Sequence, residues 1–326
     1  MRIHVQNPAD DPLYRISPDM WQAAAARAGE VGDGHQVSFA DDAAAFVAAV
    51  AEAEALVGDK DAVRALMPCP APRLRILFLT SAGLDNLAPF DWLPPGAMLL
   101  NNRGTHQTKA GEFGIMALLM LTSRLPQLVT NQRAGRWQKL WGTALTGRRV
   151  TIVGLGTLGG AVATQAARFG MHVTGVRTRT DAHPACAEVI AVADLDRVLP
   201  ATDFLVLACP LTPTTRGLID RRRLGLLPAG AGLVNMGRGP LADQDAICDA
   251  LENGALSGAV LDVFDQEPIP PGHRLWTTPN LIITPHTGTD DPNTYNPRSL
   301  DIFFENLRAF RDGREPPNRF DITRGY

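Results

Sequence analysis

Short apolar runs and longer helical patterns alternate along almost the whole chain. In the first third, apolar runs predict buried strands at residues 2–5 and 74–79 and a shorter one at residues 56–57. Alanine-rich segments at residues 21–28 and 43–55 predict helices between them. This alternation is typical of a parallel sheet that helices cover on both faces.

The same alternation continues through the rest of the chain. Six apolar runs predict strands, at residues 150–153, 171–176, 204–208, 232–235, 259–263 and 281–283. Residues 160–169 and 243–251 predict helices between these strands, and the strongly apolar residues 112–125 predict a helix that crosses between two domains. The final predicted helix, residues 298–310, follows the last strand and has no place in the second sheet. We therefore expect it to return to the first domain, which makes that domain discontinuous.

A glycine-rich turn follows the first of these six strands. Gly154, Gly156 and Gly159 have the spacing G-x-G-x-x-G, with Thr157 and Leu158 between the last two glycines and a helical pattern after them. In a dinucleotide site the first glycine permits the tight turn, the second admits the pyrophosphate and the third lets helix and strand pack closely. Unpaired N–H groups at the helix N-terminus then face the phosphates. The turn predicts a dinucleotide-binding domain; the alternative is a turn with a purely structural role.

The end of the second of these strands is basic. An NAD-binding domain usually has an acidic residue there to bind the ribose hydroxyls, whereas this chain has Arg177, followed by Thr178 and Arg179. A guanidinium pairs with a 2′-phosphate, and a threonine hydroxyl donates one more hydrogen bond. We therefore predict that NADP(H) is preferred, with NAD(H) as a second cofactor. In the alternative, the basic loop is solvated and Asp181 binds the ribose.

Three loops that follow predicted strands each carry an ionisable side chain, namely Arg238, Glu267 and His286. Ligands bind at the carboxyl ends of the strands in such sheets. Reduction of a ketoacid needs a cation near the carboxylate and carbonyl, which Arg238 can supply, and a proton donor near neutral pH, which His286 can supply. Glu267 can accept from the other ring nitrogen and fix the tautomer. Each of the three alone is also compatible with an ordinary loop residue, and only their combination after the glycine-rich turn indicates catalysis.

Composition and charge exclude several classes of function. A chain of 326 residues, 45% of them hydrophobic, is long enough for two domains with cores of their own, and a net charge of −3 gives no basic excess for nucleic acid. The four cysteines are scattered without a C-x-x-C pair, which predicts reduced thiols and no metal site. Because no apolar run could span a membrane and the first residues lack the apolar core of a signal peptide, we expect a cytoplasmic protein.

Several motifs together resemble the D-isomer-specific 2-hydroxyacid dehydrogenases. The resemblance covers residues 80–302, and its motifs are Ala82-Gly-Leu-Asp-Asn, Ala110-Gly-Glu-Phe, the segment around Trp137, the glycine-rich turn, Cys209-Pro-Leu-Thr-Pro-Thr-Thr-Arg and the three loops above. It implies an α/β protein of two doubly wound parallel-sheet domains, in which a Rossmann cofactor domain is inserted into a flavodoxin-like substrate domain. We expect the substrate domain at residues 1–98 and 290–326 and the dinucleotide-binding domain at residues 99–289.

The resemblance also implies roles for individual residues. His286 would be the general acid of reduction and the base of oxidation, Glu267 would pair with it, and Arg238 would bind the substrate carboxylate and polarise the keto oxygen. The backbone amides of Ala82 and Gly83 would hold the carboxylate from the substrate domain. The other residues implied to contact the cofactor are Asp262, at the nicotinamide carboxamide, and Cys209, Pro210, Thr215, Met236, Gly237, His286 and Gly288.

The activity that the resemblance implies is NADPH-dependent reduction of small 2-ketoacids, with glyoxylate and hydroxypyruvate as leading substrates, to D-2-hydroxyacids. Family members are usually homodimers joined through the cofactor domains, here by residues 125–141. Trp137 or Trp141 could then enter the partner's active site; the alternative is that both pack in a core. Two other functions stay open, a dinucleotide-sensing binding protein similar to the related co-repressors and NAD-dependent oxidation of D-2-hydroxyacids.

One segment departs from the family pattern. Residues 288–298 are rich in proline and asparagine where the family normally starts its final helix. Tyr295, Asn296 or Arg298 could contact a polar tail of the substrate. The alternative is a loop whose asparagine and aspartate side chains stabilise turns.

Overall fold

In the computed structural model, which describes residues 1–323 and 325, the first five strands form one parallel sheet. They are β1 (Arg2–Gln6), β2 (Gln36–Ala40), β3 (Ala55–Gly58), β4 (Ile76–Leu79) and β5 (Met98–Leu100). Their order, β2-β1-β3-β4-β5, is that of a flavodoxin-like sheet. The central strands β3 and β4 are buried at every position because helices cover both faces of a parallel sheet. The edge strands β2 and β5 were not predicted, since β2 has no fully buried residue and β5 has only three residues.

The helices between these strands are α1 (Pro18–Ala28), α2 (Ala43–Val50) and α3 (Lys60–Leu66). Each begins after a side chain that accepts a hydrogen bond from the first turn, Ser17, Asp42 and Asp59 respectively. Helix α2 is shorter than predicted because the chain enters β3, which pairs with β1 in the sheet. The uniform alanine content of that stretch hides the boundary. Helix α3 was not predicted.

Seven further strands form a second parallel sheet. They are β6 (Arg149–Val153), β7 (His172–Val176), β8 (Glu188–Ile190), β9 (Phe204–Leu207), β10 (Ala231–Asn235), β11 (Leu256–Leu261) and β12 (Leu281–Ile283). Their order is β12-β11-β10-β9-β6-β7-β8, so the strand order reverses beside β6, where open α/β sheets bind dinucleotides. The predicted fold class, two doubly wound parallel sheets, is confirmed. The short edge strand β8 was missed.

The chain folds into two compact units. One contains Met1–Thr105 and the residues from Asp291 onward, and the other contains His106–Asp290. The first boundary lies later in the chain than residue 98 because β5 pairs with β4 and therefore belongs to the first sheet. The helices of the second unit are α4 (Gln107–Thr122), α5 (Leu125–Arg133), α6 (Thr157–Arg168), α7 (Leu195–Val198), α8 (Arg221–Leu224) and α9 (Gln244–Glu252).

Helix α4 lies wholly within the second unit, so the prediction that it crosses between domains is wrong. It packs directly on α6, because a Cβ atom at Gly114 would stand 2.4 Å from Cγ2 of Val162. The helix ends near Arg124, whose φ of 59° turns the chain into α5. Among the described residues, no single helix is long and apolar enough to cross a membrane, and α4 and α5 meet that length and composition only as a pair bent by 64°.

The last helix, α10 (Tyr295–Arg311), belongs to the first unit. Its apolar face, including Phe303 and Leu307, lies in the same core as Ile3 of β1. The helix starts earlier than predicted, inside the segment that departs from the family pattern. Tyr295 and Asn296 are buried in its first turn, where the Tyr295 hydroxyl donates to the carbonyl oxygen of Thr80 and the Asn296 amide donates to those of Leu13 and Arg15. These two side chains therefore stabilise the start of α10, and a contact of Tyr295, Asn296 or Arg298 with a substrate stays a prediction.

Candidate active site

The three glycines after β6 differ in what surrounds them. Gly154 has a φ of 96°, and a Cβ atom there would stand 2.6 Å from the backbone of Cys209. A Cβ atom at Gly159 would stand 1.8 Å from the carbonyl oxygen of Gly154. A Cβ atom at Gly156 would meet nothing within 4 Å. The fold itself therefore requires the first and third glycines, whereas the second leaves open space at the start of α6, as a site for a pyrophosphate requires.

Gly156 is also the N-cap of α6, and its position explains what the open space can hold. Among the described residues no side chain caps this helix, so the N–H groups of Thr157 and Leu158 lie at a helix start without a capping acceptor. The N-terminus of a twelve-residue helix attracts an anion through these N–H groups and the helix dipole. The residues present therefore fit a dinucleotide phosphate.

The basic segment after β7 forms a loop held by its own side chains. Arg177 donates from one guanidinium nitrogen to the carbonyl oxygen of Asp181 at 2.5 Å, while its Nε is buried and has no hydrogen-bond partner among the described residues. Thr178 and Arg179 are exposed. The unsatisfied Nε–H donor fits an anion bound beside Arg177, because a buried donor normally has a partner.

A histidine that the sequence reasoning missed lies in the same loop. Nε2 of His183 would stand 3.3 Å from a Cβ atom at Gly160, in the first turn of α6. Its Nδ1 accepts from the backbone N–H of Ala185, which leaves the proton of the neutral ring on Nε2. Burial, and then the charge of Arg177, lower the pKa of His183. The ring is therefore neutral near pH 7 and lies beside the first turn of α6.

The loops after β9 and β10 contact each other beside the glycine-rich turn. Cys209 is buried, and its burial raises the pKa of the thiol to about 11, so the side chain is a neutral packing group. A Cβ atom at Gly237 would stand 2.9 Å from the carbonyl oxygen of Cys209. The Thr215 hydroxyl donates to the carbonyl oxygen of Pro210 at 2.7 Å, and Met236 is buried. The predicted cofactor residues of these two loops therefore lie together at one end of the sheet.

Arg238 follows β10 on a backbone that is fixed on both sides. The Asn235 amide donates to the carbonyl oxygen of Arg238 at 2.9 Å, and its side-chain oxygen accepts from the N–H of Gly237 at 3.2 Å. A Cβ atom at Gly239 would stand 2.0 Å from the carbonyl carbon of Phe264, so only glycine fits there. Asn235 was not predicted as a site residue. A buried asparagine at the end of an otherwise apolar strand was the available signal.

The structure brings Glu267 and His286 together. Nδ1 of His286 lies 2.6 Å from Oε2 of Glu267, and the other carboxylate oxygen accepts from the N–H of Phe264 at 2.8 Å. The carboxylate thus receives a hydrogen bond from its own loop and faces the ring with its second oxygen. Because a carboxylate accepts, Nδ1 carries a proton, and Nε2 is the atom left for proton exchange.

The backbone of His286 has a φ of 55°, in the left-handed region. A residue other than glycine is uncommon there, and such conformations cost about 1 to 3 kcal/mol and concentrate at functional sites. The neighbouring bonds hold it in place. Oδ1 of Asp262 accepts from the Thr284 hydroxyl at 2.6 Å, from the Thr287 N–H at 3.1 Å and from the Gly288 N–H at 2.9 Å.

Asp262 is 1% exposed, and burial is the main reason that its pKa is raised, while its hydrogen bonds act in the opposite direction. Gly288 packs on the ring of Phe113, because a Cβ atom there would stand 2.5 Å from that ring. The side chain of Asp262 therefore fastens the loop that carries His286. This anchoring role was not predicted from the sequence.

The predicted substrate-binding residues Ala82 and Gly83 belong to the first unit, in the irregular segment after β4. The Asn101 amide donates to the carbonyl oxygen of Ala82 at 2.9 Å and fixes the backbone there. The predicted catalytic residues and cofactor residues all belong to the second unit. Chemically, the second unit presents an imidazole with a carboxylate partner and a guanidinium on a nearby loop, which is a set suited to proton transfer beside an anionic ligand.

Comparisons with known proteins agree on one family. The family model described as "D-isomer specific 2-hydroxyacid dehydrogenase, NAD binding domain" matches residues 115–288. Glyoxylate reductase from Korarchaeum cryptofilum is 33% identical over 279 residues, which are 80% of this chain and 83% of that protein. Glyoxylate/hydroxypyruvate reductase B from Citrobacter koseri is 34% identical over 259 residues, which are 76% of this chain and 79% of that protein.

A solved structure extends the similarity to the whole chain. It is the NADPH-dependent glyoxylate/hydroxypyruvate reductase from Sinorhizobium meliloti, in complex with NADP and sulfate. The two structures align with a TM-score of 0.81 over 100% of this chain and 99% of that chain, at 26% sequence identity. The similarity therefore includes both units and not only the part that the family model matches.

Proposed function

Because the chain belongs to the D-isomer-specific 2-hydroxyacid dehydrogenase family, a family of NAD(P)-dependent oxidoreductases, we propose that it reduces small 2-ketoacids to D-2-hydroxyacids with NADPH. Glyoxylate and hydroxypyruvate are the leading substrates, as they are in the names of its relatives. The observation that carries the proposal is the 2.6 Å contact between Nδ1 of His286, whose backbone is in the left-handed region, and Oε2 of Glu267.

In the proposed reaction His286 is the general acid. Glu267 holds the proton on Nδ1, so that Nε2 donates its proton to the keto oxygen as that oxygen becomes an alcohol. The chemistry that the nicotinamide supplies when bound is hydride transfer to the keto carbon. In the reverse direction Nε2 accepts the proton from the hydroxyl, so oxidation of a D-2-hydroxyacid uses the same pair.

Arg238 supplies the positive charge in the proposed site. Its planar guanidinium can pair with the substrate carboxylate and polarise the keto oxygen, and the fixed backbone on both sides keeps its position. For Ala82 and Gly83, the proposed contact of their backbone amides with the carboxylate rests on the family resemblance. The assignment of the second unit as the cofactor domain rests on the glycine-rich turn and on the family model that matches residues 115–288.

The proposed preference for NADPH rests on Arg177, with Thr178 and Arg179 beside it. Arg177→Asp should raise the Kd of NADPH by about 10- to 100-fold, because charge-assisted hydrogen bonds to the 2′-phosphate are replaced by repulsion. The Kd of NADH should change little or fall. Fluorescence titration of both reduced cofactors measures this. Arg168→Asp, an equal charge change at the exposed far end of α6, is the control, and an equal rise for both cofactors in Arg177→Asp would refute the preference.

We further propose that the chain forms a homodimer through residues 125–141. The supporting observation is that Trp137 is 96% exposed and Trp141 82% exposed, so these tryptophans are not core residues of this chain. Exposed tryptophans of this kind mark protein interfaces. Sedimentation equilibrium should give the mass of two chains, and the double variant Trp137→Ala with Trp141→Ala should sediment as one chain. Trp276→Ala, another exposed tryptophan, should stay dimeric; a monomeric wild-type protein would contradict the proposal.

The experiment that tests the proposed function is a panel of 2-ketoacids assayed with NADPH and NADH by absorbance at 340 nm. Glyoxylate or hydroxypyruvate should be reduced with NADPH at a higher kcat/KM than with NADH. Binding of NADPH without turnover of any ketoacid would instead favour the dinucleotide-sensing function. Turnover only of D-2-hydroxyacids with NAD would favour the oxidative function.

A further inference from the structure

A second histidine lies beside the loop that carries His286. This loop, residues 284–290, is called the His286 loop below. Nδ1 of His106 lies 3.2 Å from the carbonyl oxygen of Thr289 and 3.2 Å from Oδ1 of Asp290. The side chains of His106 and Asp290 are 16% and 22% exposed. These two residues are also the first and last of the second unit, so their contact joins its two ends.

The partners of His106 fix where its proton lies. A carbonyl oxygen only accepts, so the bond to Thr289 requires a proton on Nδ1. Asp290, as a carboxylate, accepts from the same nitrogen. A single N–H group of His106 is therefore directed at two consecutive residues at the end of the His286 loop.

The His286 loop is held at three points that directly follow His286, whose own backbone is in the left-handed region. Asp262 binds the N–H groups of Thr287 and Gly288, and the Phe113 ring packs under Gly288. His106 holds the end of the loop. Phe113 lies in α4 and His106 is the N-cap residue of that helix, where its carbonyl oxygen accepts from the N–H of Ala110 at 2.8 Å. The start of α4 thus supports the end of the His286 loop.

The surroundings of His106 favour its neutral form near pH 7. Burial is the largest effect and lowers the pKa of His106, the charge of Asp290 acts in the opposite direction, and the positive charges of His286 and Arg238 lower the pKa further. His106 is therefore close enough to His286 and Arg238 for their charges to affect its pKa. A neutral His106 can donate from Nδ1 without adding a positive charge beside Arg238.

We infer that His106 is a positioning residue for His286: by donating from Nδ1 to Thr289 and Asp290, it keeps the His286 loop in the conformation in which the His286 ring meets Glu267. The inference rests on the proposed function for its effect on catalysis. Its effect on the contact between His286 and Glu267 is independent of any substrate.

Three variants of His106 test this inference. In asparagine the side-chain nitrogen is as many bonds from the backbone as Nδ1, whereas in glutamine it is one bond farther, and leucine has no donor. His106→Leu and His106→Gln should lower kcat for ketoacid reduction by about 10- to 100-fold, because a small displacement of a catalytic group is this costly. The KM of the ketoacid and the Kd of NADPH should stay as in wild type. His106→Asn should restore most of kcat.

His172→Leu, which removes an exposed histidine of the same unit, is the matched control and should leave kcat unchanged. A second readout needs no activity. The Nδ1 proton of His286, bonded to Glu267, should give a strongly downfield NMR signal in wild type and His106→Asn, and this signal should broaden or vanish in His106→Gln. If His106→Leu does not fold, the comparison of asparagine with glutamine decides.

The two readouts separate the inference from the proposed function. A wild-type protein that reduces no ketoacid overturns the proposed function, and the NMR signal then decides the inference alone. Wild-type kcat in His106→Gln, or an unchanged His286 signal in that variant, overturns the inference. Equal losses in the asparagine and glutamine variants also overturn it, since they would show that the donor at Nδ1 is not what matters.

Discussion

Replacing His286 with alanine should lower kcat for reduction of glyoxylate by about 10²- to 10⁴-fold. The reason is that the variant has no side chain that can deliver a proton to the keto oxygen at neutral pH, and a positioned general acid contributes that much. Because His286 is half exposed and lies on a surface loop, the fold should tolerate the change. Steady-state assays at saturating NADPH and glyoxylate measure the loss, and thermal unfolding confirms that the variant is folded.

Glu267→Gln is the companion variant. It keeps the size of the side chain and can still face Nδ1 of His286, but it removes the carboxylate that stabilises the protonated ring. Its kcat should therefore fall less than that of His286→Ala. The kcat of the double variant should fall no further than that of His286→Ala alone, because Glu267 and His286 act through the same proton. Full activity in His286→Ala would remove the proposed acid, and additive losses in the double variant would separate the two residues.

Replacing Arg238 with alanine should lower kcat/KM for ketoacids by about 10²- to 10³-fold, the loss expected when a charged donor to a developing oxyanion is removed. Arg238→Lys should recover only part of the loss. A lysine keeps the positive charge but lacks the planar fork that matches a carboxylate. Kinetics over a range of ketoacid concentrations measure the loss.

The Kd of NADPH should stay as in wild type in both variants, because the proposed contacts of Arg238 are with the substrate. The matched control is Arg168→Ala, an exposed arginine at the far end of α6 in the same unit, which should keep its kcat/KM. The proposed role of Arg238 would be contradicted if kcat/KM stayed at the wild-type value in Arg238→Ala. It would also be contradicted if lysine replaced arginine without loss.

The sequence predicted those parts of the fold where the pattern was strong and local. The central strands were found because they are apolar along their full length. The glycine-rich turn was found because its positions Gly154 and Gly159 must be glycine, since a Cβ atom at either would meet backbone atoms. The edge strands β2, β5 and β8 were missed because they are short or only partly buried. The extent of α4 was wrong because its polar first turn carries no apolar periodicity.

The candidate site was predictable as a set of residues but not as a network. Arg238, Glu267 and His286 were found because each follows a strand, and only the structure shows that His286 and Glu267 meet. The supports come from residues far apart in the chain, such as Phe113 beneath Gly288 and Asn235 beside Arg238. No local pattern encodes such contacts. The exposure of Trp137 likewise depends on the path of the whole segment.

An isotope experiment on the proposed reduction follows the hydrogen that reaches the substrate. The wild-type protein is incubated with hydroxypyruvate and NADPH deuterated at both C4 positions, and the product is analysed by chiral chromatography and mass spectrometry. We expect D-glycerate with one deuterium at C2, formed by wild type and almost absent with His286→Ala. Product of the L configuration, glycerate without deuterium, or equal product from the variant would contradict the proposed reduction.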